Sequence, residues 1–416
     1  MASSDVAPVT HPRADAHTAD ADGRAVIDGA VDADNHYYEP LDAFTRHLDP
    51  AFARRGVEVV TAGRRTRMLA GGATFEFIPN PTFDPIIVPG CIDPLFRGQI
   101  PEGVDPRSLM QVEPLRPEYQ HRDARVAVMD EQGLATIVLF PTMGCGVEEA
   151  LKDDVDATMA TLAAFNRWLD EDWGFARDDR VISAPMLSLA DPEAAVAELD
   201  RVLAAGARIV HVRPAPVPGG DGTSRSLGHP AHDPFWARLE VTSTPVAFHL
   251  GDSGYNAFTA MWGGSSKFLA YGRTNSLSKI LVSDRAIHDT MASMLVDGVF
   301  SRFPALRVAS VENGSDWVAL LVKRLAKQAN QTPWDFDEAP VDTIRRHLWV
   351  TPYYEEDIEA LAELVGVDKV LFGSDWPHGE GLARPTDFVE ELDAFDAADV
   401  RRMMRDNALD LLAPAH

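Results

Sequence analysis

The stretch "VISAPMLSLADPEAAVAELDRVLAAGARIVHV", residues 181–212, holds one complete strand–helix–strand unit. Ile182–Met186 is an apolar run of strand length. Asp191 offers a helix cap, Pro192 fits the first helical position, where no amide hydrogen is needed, and Gly206 ends the helix. Ile209–Val212 is a second apolar run. Strands alternating with helices in this way lie parallel, joined by right-handed crossovers.

The same alternation extends in both directions. Strand candidates lie at Ala30–Ala33, Ala135–Phe140, Ile182–Met186, Ile209–Val212, Val246–Phe248, Arg307–Val311, Leu348–Val350 and Lys369–Phe372, eight in all. Amphipathic segments fall between them, among them residues 157–173, 315–328 and 355–366, with a last one at 397–412. Eight such units predict an α/β fold of the closed (β/α)8 TIM barrel type. A doubly wound open sheet is the alternative, weakened because no GxGxxG or P-loop follows an early strand. One interval, residues 41–125, is too long for a first crossover. Within it "VEVVTAGRRTRMLAGGATFEFI" alternates and turns twice at glycine, so it reads as a small β-rich insertion after the first strand, followed by a Pro-rich loop. Inserted there, it sits at the catalytic face. Residues 1–25, rich in Ala, Asp, His and Pro, read as a disordered tail, and residues 26–416 as the barrel.

The formal charge is −26, from 64 acidic and 38 basic residues among 416. That balance argues against nucleic acid, whose phosphates need clustered Lys and Arg, and against an anionic membrane surface. Two cysteines, Cys91 and Cys145, make neither a disulfide framework nor a Cys-rich zinc site. The first 25 residues have no apolar run of the kind a secretory signal needs, and no stretch has the length of a membrane helix. The expectation is a cytoplasmic protein with reduced thiols that meets neither nucleic acid nor membrane.

Barrel chemistry sits at the C-terminal ends of strands. Strand one ends in Asp34-x-His36, whose alternate side chains point the same way. Strand five ends in His249 ("PVAFHLG"), strand six in Glu312 ("RVASVENGSDW"). Strand eight is followed by Asp375 and His378 ("KVLFGSDWPHGEG"). Strands one and eight become neighbours only on closure, which brings Asp34, His36 and Asp375 together with His249 across the mouth. Each residue alone has an ordinary explanation: a hydrogen-bonded rim histidine, an Asx-turn, a cap, an ion pair with arginine. Their coincidence at the correct strand ends is not explained that way, and it predicts a metal site.

These segments resemble a known family. "VDADNH", "FHLG", "FSRFPALRVASVENGSDW", "VLFGSDWPH" and "RDNALDLL" are similar to the amidohydrolase superfamily, closest to the amidohydrolase-related branch that includes aminocarboxymuconate-semialdehyde decarboxylase and resorcylate-type decarboxylases. The resemblance covers the chain from Val26 onward except the insertion. It implies a (β/α)8 barrel with one or two divalent ions, Zn or Mn. The first-strand ligand pair falls on Asp34 and His36, the strand-five ligand on His249, and the last-strand aspartate, a ligand that also shuttles protons, on Asp375. Two positions depart from the pattern. Asp34 replaces the first histidine of the usual pair. Glu312 stands where the decarboxylases carry a catalytic histidine, and it is expected to act as a further ligand. Strand four ("IVHVRPAP") carries His211 and Arg213 but no bridging lysine, so carboxylated-lysine chemistry is not expected.

Three functions follow as expectations. The first is metal-dependent hydrolysis or decarboxylation of a small carboxylic or carbonyl substrate, with Asp375 and Glu312 catalytic. Arg213 either binds a substrate carboxylate or forms a rim ion pair. The second is a non-heme di-iron monooxygenase, as known on this barrel in natural-product metabolism, with Fe and with Glu39, His288 and His378 supplying a second ion. The third is a non-catalytic binding scaffold. Tyr37, Tyr38, Trp317, Trp376 and His378 are expected around the mouth, which predicts a sizeable apolar or aromatic small-molecule substrate. A homodimer or higher homo-oligomer is expected.

Overall fold

A computed structural model describes residues 29–63, 65–266 and 276–414. The tail expected over residues 1–25 lies outside the described residues. Seven strands form most of a parallel ring: β1 (Ala30–Tyr37), β2 (Leu134–Pro141), β3 (Val181–Ser183, then Met186–Leu187), β4 (Val210–Val212), β5 (Val246–His249), β6 (Val308–Val311) and β7 (Leu348–Val350). Strand β3 is split at Ala184-Pro185. Its first piece pairs with β2 and its second with β4, and the Pro185 carbonyl accepts from the His211 amide at 2.8 Å.

The eighth position differs from the expected strand over Lys369–Phe372. Lys369 belongs to a turn (Val367–Lys369), and residues 370–376 pair through isolated bridges, Val350 with Val370 and Asn35 with Trp376. Closure is nonetheless hydrogen-bonded on both sides. Leu371 donates to Val350 O at 2.8 Å, Ala33 to Phe372 O at 2.9 Å, and His36 to Trp376 O at 2.8 Å. The fold is the (β/α)8 barrel.

Val31, Val138, Ile182, Ile209, Ala247, Ala309 and Leu371 fill the interior, and Ala408, Leu411 and Leu412 of the last helix plug its base. The other strand face, with Ile137, Val181, Val210, Val246 and Val308, packs against the helices. In β1 the interior face changes partway. Asp32 pairs with Ile137 and Asn35 with Leu139, so three residues oppose two. The extra residue is a β-bulge, and it switches the inward positions from Val31 and Ala33 below to Asp34 and His36 above. Bulges are enriched at barrel rims for this reason.

The insertion contains an antiparallel three-stranded sheet (Val57–Ala62, Arg65–Ala70, Ala73–Thr74) and a short pair (Ile86–Ile87 with Val112–Glu113). It ends before the first crossover helix, Arg122–Gln132. It leans on the loop after the eighth segment, where Gly90 N donates to His378 O and Ile92 N to Gly379 O, both at 3.1 Å. Gly90 has φ +70°, and a Cβ there would stand 2.4 Å from Ala383 N, so this approach to the mouth requires glycine.

Candidate metal centre

Four strand ends bring their polar side chains together at the mouth. Asp34 and His36 come from β1 past the bulge, His249 from the end of β5, Glu312 from the residue after β6, and Asp375 from the eighth segment. Glu312 and Asp375 both adopt left-handed backbone, φ 54° and φ 56°. A non-glycine residue pays roughly 1–3 kcal/mol for such a conformation, which marks functional sites when the surroundings hold it in place. Tyr353 helps hold Glu312 by donating its hydroxyl to the Glu312 carbonyl at 2.8 Å.

The donor atoms fall into two overlapping groups, each within 4.8 Å: Asp34, His36, His249 and Glu312, and His36, Glu312, Asp375 and His378. His36 Nε2 lies 3.4 Å from Asp34 Oδ1, 3.4 Å from Glu312 Oε2 and 3.2 Å from Asp375 Oδ1. His249 Nε2 lies 3.1 Å from Glu312 Oε2 and 3.5 Å from Asp34 Oδ1. The two Nε2 atoms are only 3.3 Å apart. His249 Nδ1 donates to Leu250 O at 2.8 Å, which leaves the Nε2 lone pair facing the site. His378 Nδ1 is 2.6 Å from Asp375 Oδ1, and its Nε2 is 3.1 Å from Thr142 Oγ1.

Such a gathering of lone pairs needs positive charge. Burial pushes Asp34 and Glu312 upward, but the neighbouring His249 and His36 imidazoles outweigh it and hold both carboxyls below their ordinary range. Burial disfavours the imidazolium of His36, yet Asp34, Asp375 and Glu312 hold it well above its ordinary value. For His249, burial is likewise outweighed, by Cys145, Asp34 and Glu312. Asp34 Oδ1 is buried with no hydrogen-bond partner. Two imidazoles and three carboxylates with an unsatisfied buried oxygen fit a divalent ion of the Zn, Mn or Fe type. Glu380, not anticipated from the sequence, borders the group: burial and then the Asp375 charge push it up to about 7.

The outward side of β1 fixes the inward one. Asp32 accepts from Asn35 Nδ2 (2.8 Å), Ser374 Oγ (2.6 Å) and the amides of Asp34 and Ser374. Asn35 Oδ1 in turn accepts from the fully buried Arg125, which also donates to His36 O at 2.7 Å and Glu118 O at 2.8 Å. The chain Asp32–Asn35–Arg125 therefore ties β1, the eighth segment and the first crossover helix together behind the ligands.

Several expected site residues stand elsewhere. Tyr37 points outward into the packing of Phe165, Trp168 and Trp173, because the alternation that turns His36 inward turns Tyr37 away. Trp376 is stacked under the Arg125 guanidinium (4.5 Å) and beside Tyr119, and Trp317 is buried with Nε1 donating to Gly314 O, so neither lines the mouth. Tyr38 does come near, 5.9 Å from the His378 ring. Arg213 is engaged by Glu149 (2.6 Å) and Glu148 (3.4 Å). Of the residues expected to hold a second ion, only His378 joins the cluster. Glu39 accepts from the Met143 and Gly144 amides at 2.9 Å each, and His288 pairs with Asp289 at 2.8 Å and Arg324 at 3.1 Å. The sequence reading also missed Cys145, Met186 and His211, which line a cavity beside His249. Only His211 carried a legible signal, as a polar residue on a barrel strand.

A donor cluster at the C-terminal mouth of a (β/α)8 barrel defines a class of metal-handling barrel enzymes. The family model for amidohydrolases matches residues 31–413, and the chain belongs to that family. It is similar to gamma-resorcylate decarboxylase of Rhizobium radiobacter, 24% identical over 283 residues, covering 62% of this chain and 79% of the relative. It is more closely similar to a crystal structure of the amidohydrolase map2389c from Mycobacterium avium subsp. paratuberculosis K-10, with 59% identity, TM-score 0.90, and 94% and 99% of the two chains covered. A dihydroxybenzoic acid decarboxylase from Polaromonas sp. JS666, solved with manganese and 2-nitroresorcinol, shares the fold at 17% identity and TM-score 0.57, over 93% and 97% of the chains. The protein is thus an enzyme of the amidohydrolase family related to aromatic-acid decarboxylases, which sets aside the scaffold reading. The di-iron oxygenase reading gains no support from these relatives, and two of its three proposed extra ligands are engaged elsewhere. No helix among the described residues is long and apolar enough to cross a membrane.

Proposed function

We propose that the protein is a divalent-metal-dependent carboxy-lyase acting on a small aromatic or apolar acid. The observation that carries this is the pair of overlapping donor groups, Asp34, His36, His249 and Glu312 beside His36, Glu312, Asp375 and His378, with the His249 tautomer fixed for coordination. Asp34, His36, His249 and Glu312 would hold one ion, and Asp375 with His378 borders a second position that shares His36 and Glu312. When bound, the metal supplies a Lewis acid that orients and polarises a substrate oxygen.

The remaining work falls to side chains. Asp375 Oδ1, 2.6 Å from His378 Nδ1, moves a proton at that atom, and the Thr142 hydroxyl steadies the far nitrogen of the imidazole. The bond from the substrate carbon to its carboxylate breaks, CO2 leaves, and the electron pair left on carbon takes the proton that Asp375 delivers. Tyr38 and the insertion beside His378 keep water from that carbon.

Hydrolysis of a neutral carbonyl compound is the second reading, and Glu312 favours it. A third carboxylate makes the mouth more negative, which repels an acid and leaves a neutral substrate unaffected. The test is manganese-loaded enzyme assayed with a panel of aromatic acids for CO2 release in D2O, and with aryl esters and lactones for acid release. CO2 release with one deuterium placed at the vacated carbon supports the lyase. Ester or lactone turnover alone moves the assignment to hydrolysis, and inactivity of the loaded enzyme on both panels overturns the proposal.

A further inference from the structure

Of the donors at the mouth, Glu312 departs furthest from what the family resemblance implies, because a carboxylate stands where a catalytic histidine was expected. It also sits on left-handed backbone, φ 54°. A side chain other than glycine's keeps that conformation only where its surroundings enforce it. Its Oε2 comes within 3.1 Å of His249 Nε2 and 3.4 Å of His36 Nε2, so this backbone is what delivers the carboxylate to the other ligands.

The turn after β6, Glu312–Ser315, is held along its length by the neighbouring strand ends. Thr351, directly after β7, accepts from the Glu312 amide at 3.1 Å, and Tyr353 donates its hydroxyl to the Glu312 carbonyl at 2.8 Å. Both backbone polar groups of Glu312 are thus engaged by side chains of one loop. Asn313 secures the other flank, where its Nδ2 donates to Phe248 O, next to His249 in β5, and to Val311 O, both at 2.8 Å. Gly314 has φ +64°, and a Cβ there would stand 2.7 Å from Glu356 Oε1 and 2.9 Å from the Tyr353 ring. No larger residue fits between the turn and the loop. Glu356 ties the two together by accepting from the Ser315 amide and hydroxyl, each at 2.8 Å, and from the Tyr353 amide at 3.0 Å. Neither Thr351 nor Tyr353 belongs to a donor group. They reach the mouth only through the backbone of Glu312.

We propose that Thr351 and Tyr353 are positioning residues for the metal. They hold Glu312 in its left-handed conformation and keep its carboxylate preset beside His36 and His249. Part of the metal affinity is therefore made in the loop after β7. The inference rests on the mouth being a metal site, as proposed above, and is independent of which reaction the site runs.

Thr351→Val and Tyr353→Phe remove the two hydroxyls and keep the shapes. Manganese affinity is measured by calorimetry or electron paramagnetic resonance on wild type, each single variant and the double variant. The double variant is then repeated in a Glu312→Gln background, and melting is recorded throughout. In the wild-type background the double variant should weaken manganese about tenfold, the scale on which outer partners of a ligand act. In the Glu312→Gln background, where the carboxylate they preset is gone, the same pair should change affinity by less than about twofold. A role in folding alone would lower melting and leave this difference between backgrounds absent. If the double variant melts early, Tyr353→Phe carries the comparison, with a smaller loss expected. Unchanged affinity in the wild-type background overturns the proposal, as does a loss of equal size in both backgrounds. Failure of wild type to take up manganese overturns the proposed function, and crystal structures of metal-free wild type and double variant then decide this inference. A Glu312 carboxylate withdrawn from His249 in the variant supports it, and an unmoved one overturns it.

Discussion

Past its bulge, β1 has two faces with opposite characters. The inward face carries Asp34 and His36, whose polar atoms crowd against other lone pairs and leave Asp34 Oδ1 and His36 Nδ1 without hydrogen-bond partners. The outward face carries Asn35, whose amide is bonded at both ends, to Asp32 and to Arg125. Asn35 on the outward side is satisfied within the protein, whereas the inward side gathers donor atoms that a bound cation would satisfy. The difference teaches that the rigidity of the site is made behind the ligands and not among them. The crowded candidate ligands are held by a satisfied network on the opposite side of the same strand, which fixes the backbone.

The strongest break in this comparison is His36→Ala. His36 belongs to both donor groups, so its loss should take metal content from at least one ion per chain to near none and lower kcat/KM by roughly 10³-fold, the scale on which removal of a key electrostatic group acts. The fold should survive, because the backbone bonds of His36 to Trp376 and Arg125 do not use its ring. Elemental analysis beside a melting curve checks both halves.

The outward face is tested next. Arg125→Met removes donors to Asn35, His36 O and Glu118 O, leaving buried acceptors unpaired at a cost of about 3 kcal/mol. Asn35→Leu should cost less stability but weaken metal binding about 10- to 100-fold, as loss of outer partners commonly does. Metal titration against thermal melting separates the two. If Asn35→Leu leaves metal affinity unchanged, the outward network is packing and no more.

Much of this was legible in the sequence, for identifiable reasons. The β4 unit was plain because Asp191, Pro192 and Gly206 punctuate it, and the helix runs over Pro192–Ala204 with Asp191 accepting at its cap. Asp34, His36, His249, Glu312 and Asp375 were legible because barrel topology brings strand ends together whatever their spacing in sequence. Tyr37 and Trp376 were misplaced because aromatic character was allowed to override alternation: a residue next to an inward ligand faces outward. The bulge was not legible, since pairing three residues against two is a property of two strands and not of one. Nor was the neutralisation of Arg213, which depends on Glu148 and Glu149 arriving from a short helix, Val147–Leu151, distant in sequence.

The inward face should also report itself through pH. In metal-free protein, the depressed Asp34 and Glu312 stabilise the fold above the ordinary carboxylate range and lose that effect as pH falls through their folded values. The raised His36 and His249 stabilise it fully below about 6.5, the ordinary imidazole value, and lose that effect as pH climbs through their higher folded values. Both effects are complete between roughly pH 4.5 and 6.5, where protons stand in for the cation. The rise in Tm on adding manganese should therefore be larger at pH 8 than at pH 6, because at pH 8 the metal displaces fewer protons. A Tm increment independent of pH would mean that the two imidazoles are not the metal's ligands.

The smallest effect expected is at Tyr37. Its ring is held among Phe165, Trp168 and Trp173, but its hydroxyl is buried with no partner. Removing an unpaired buried hydroxyl while keeping the ring relieves a desolvation cost, so Tyr37→Phe should leave stability unchanged or raise it by up to about 1 kcal/mol. Metal content and turnover should not move. Tyr37→Ala keeps the same chemistry at the mouth but empties a ring-sized volume from the outer core, and it should cost about 3–5 kcal/mol. If Tyr37→Phe instead lowers turnover with metal content intact, the hydroxyl is reached from the mouth and the separation of the two faces of β1 fails at its last residue.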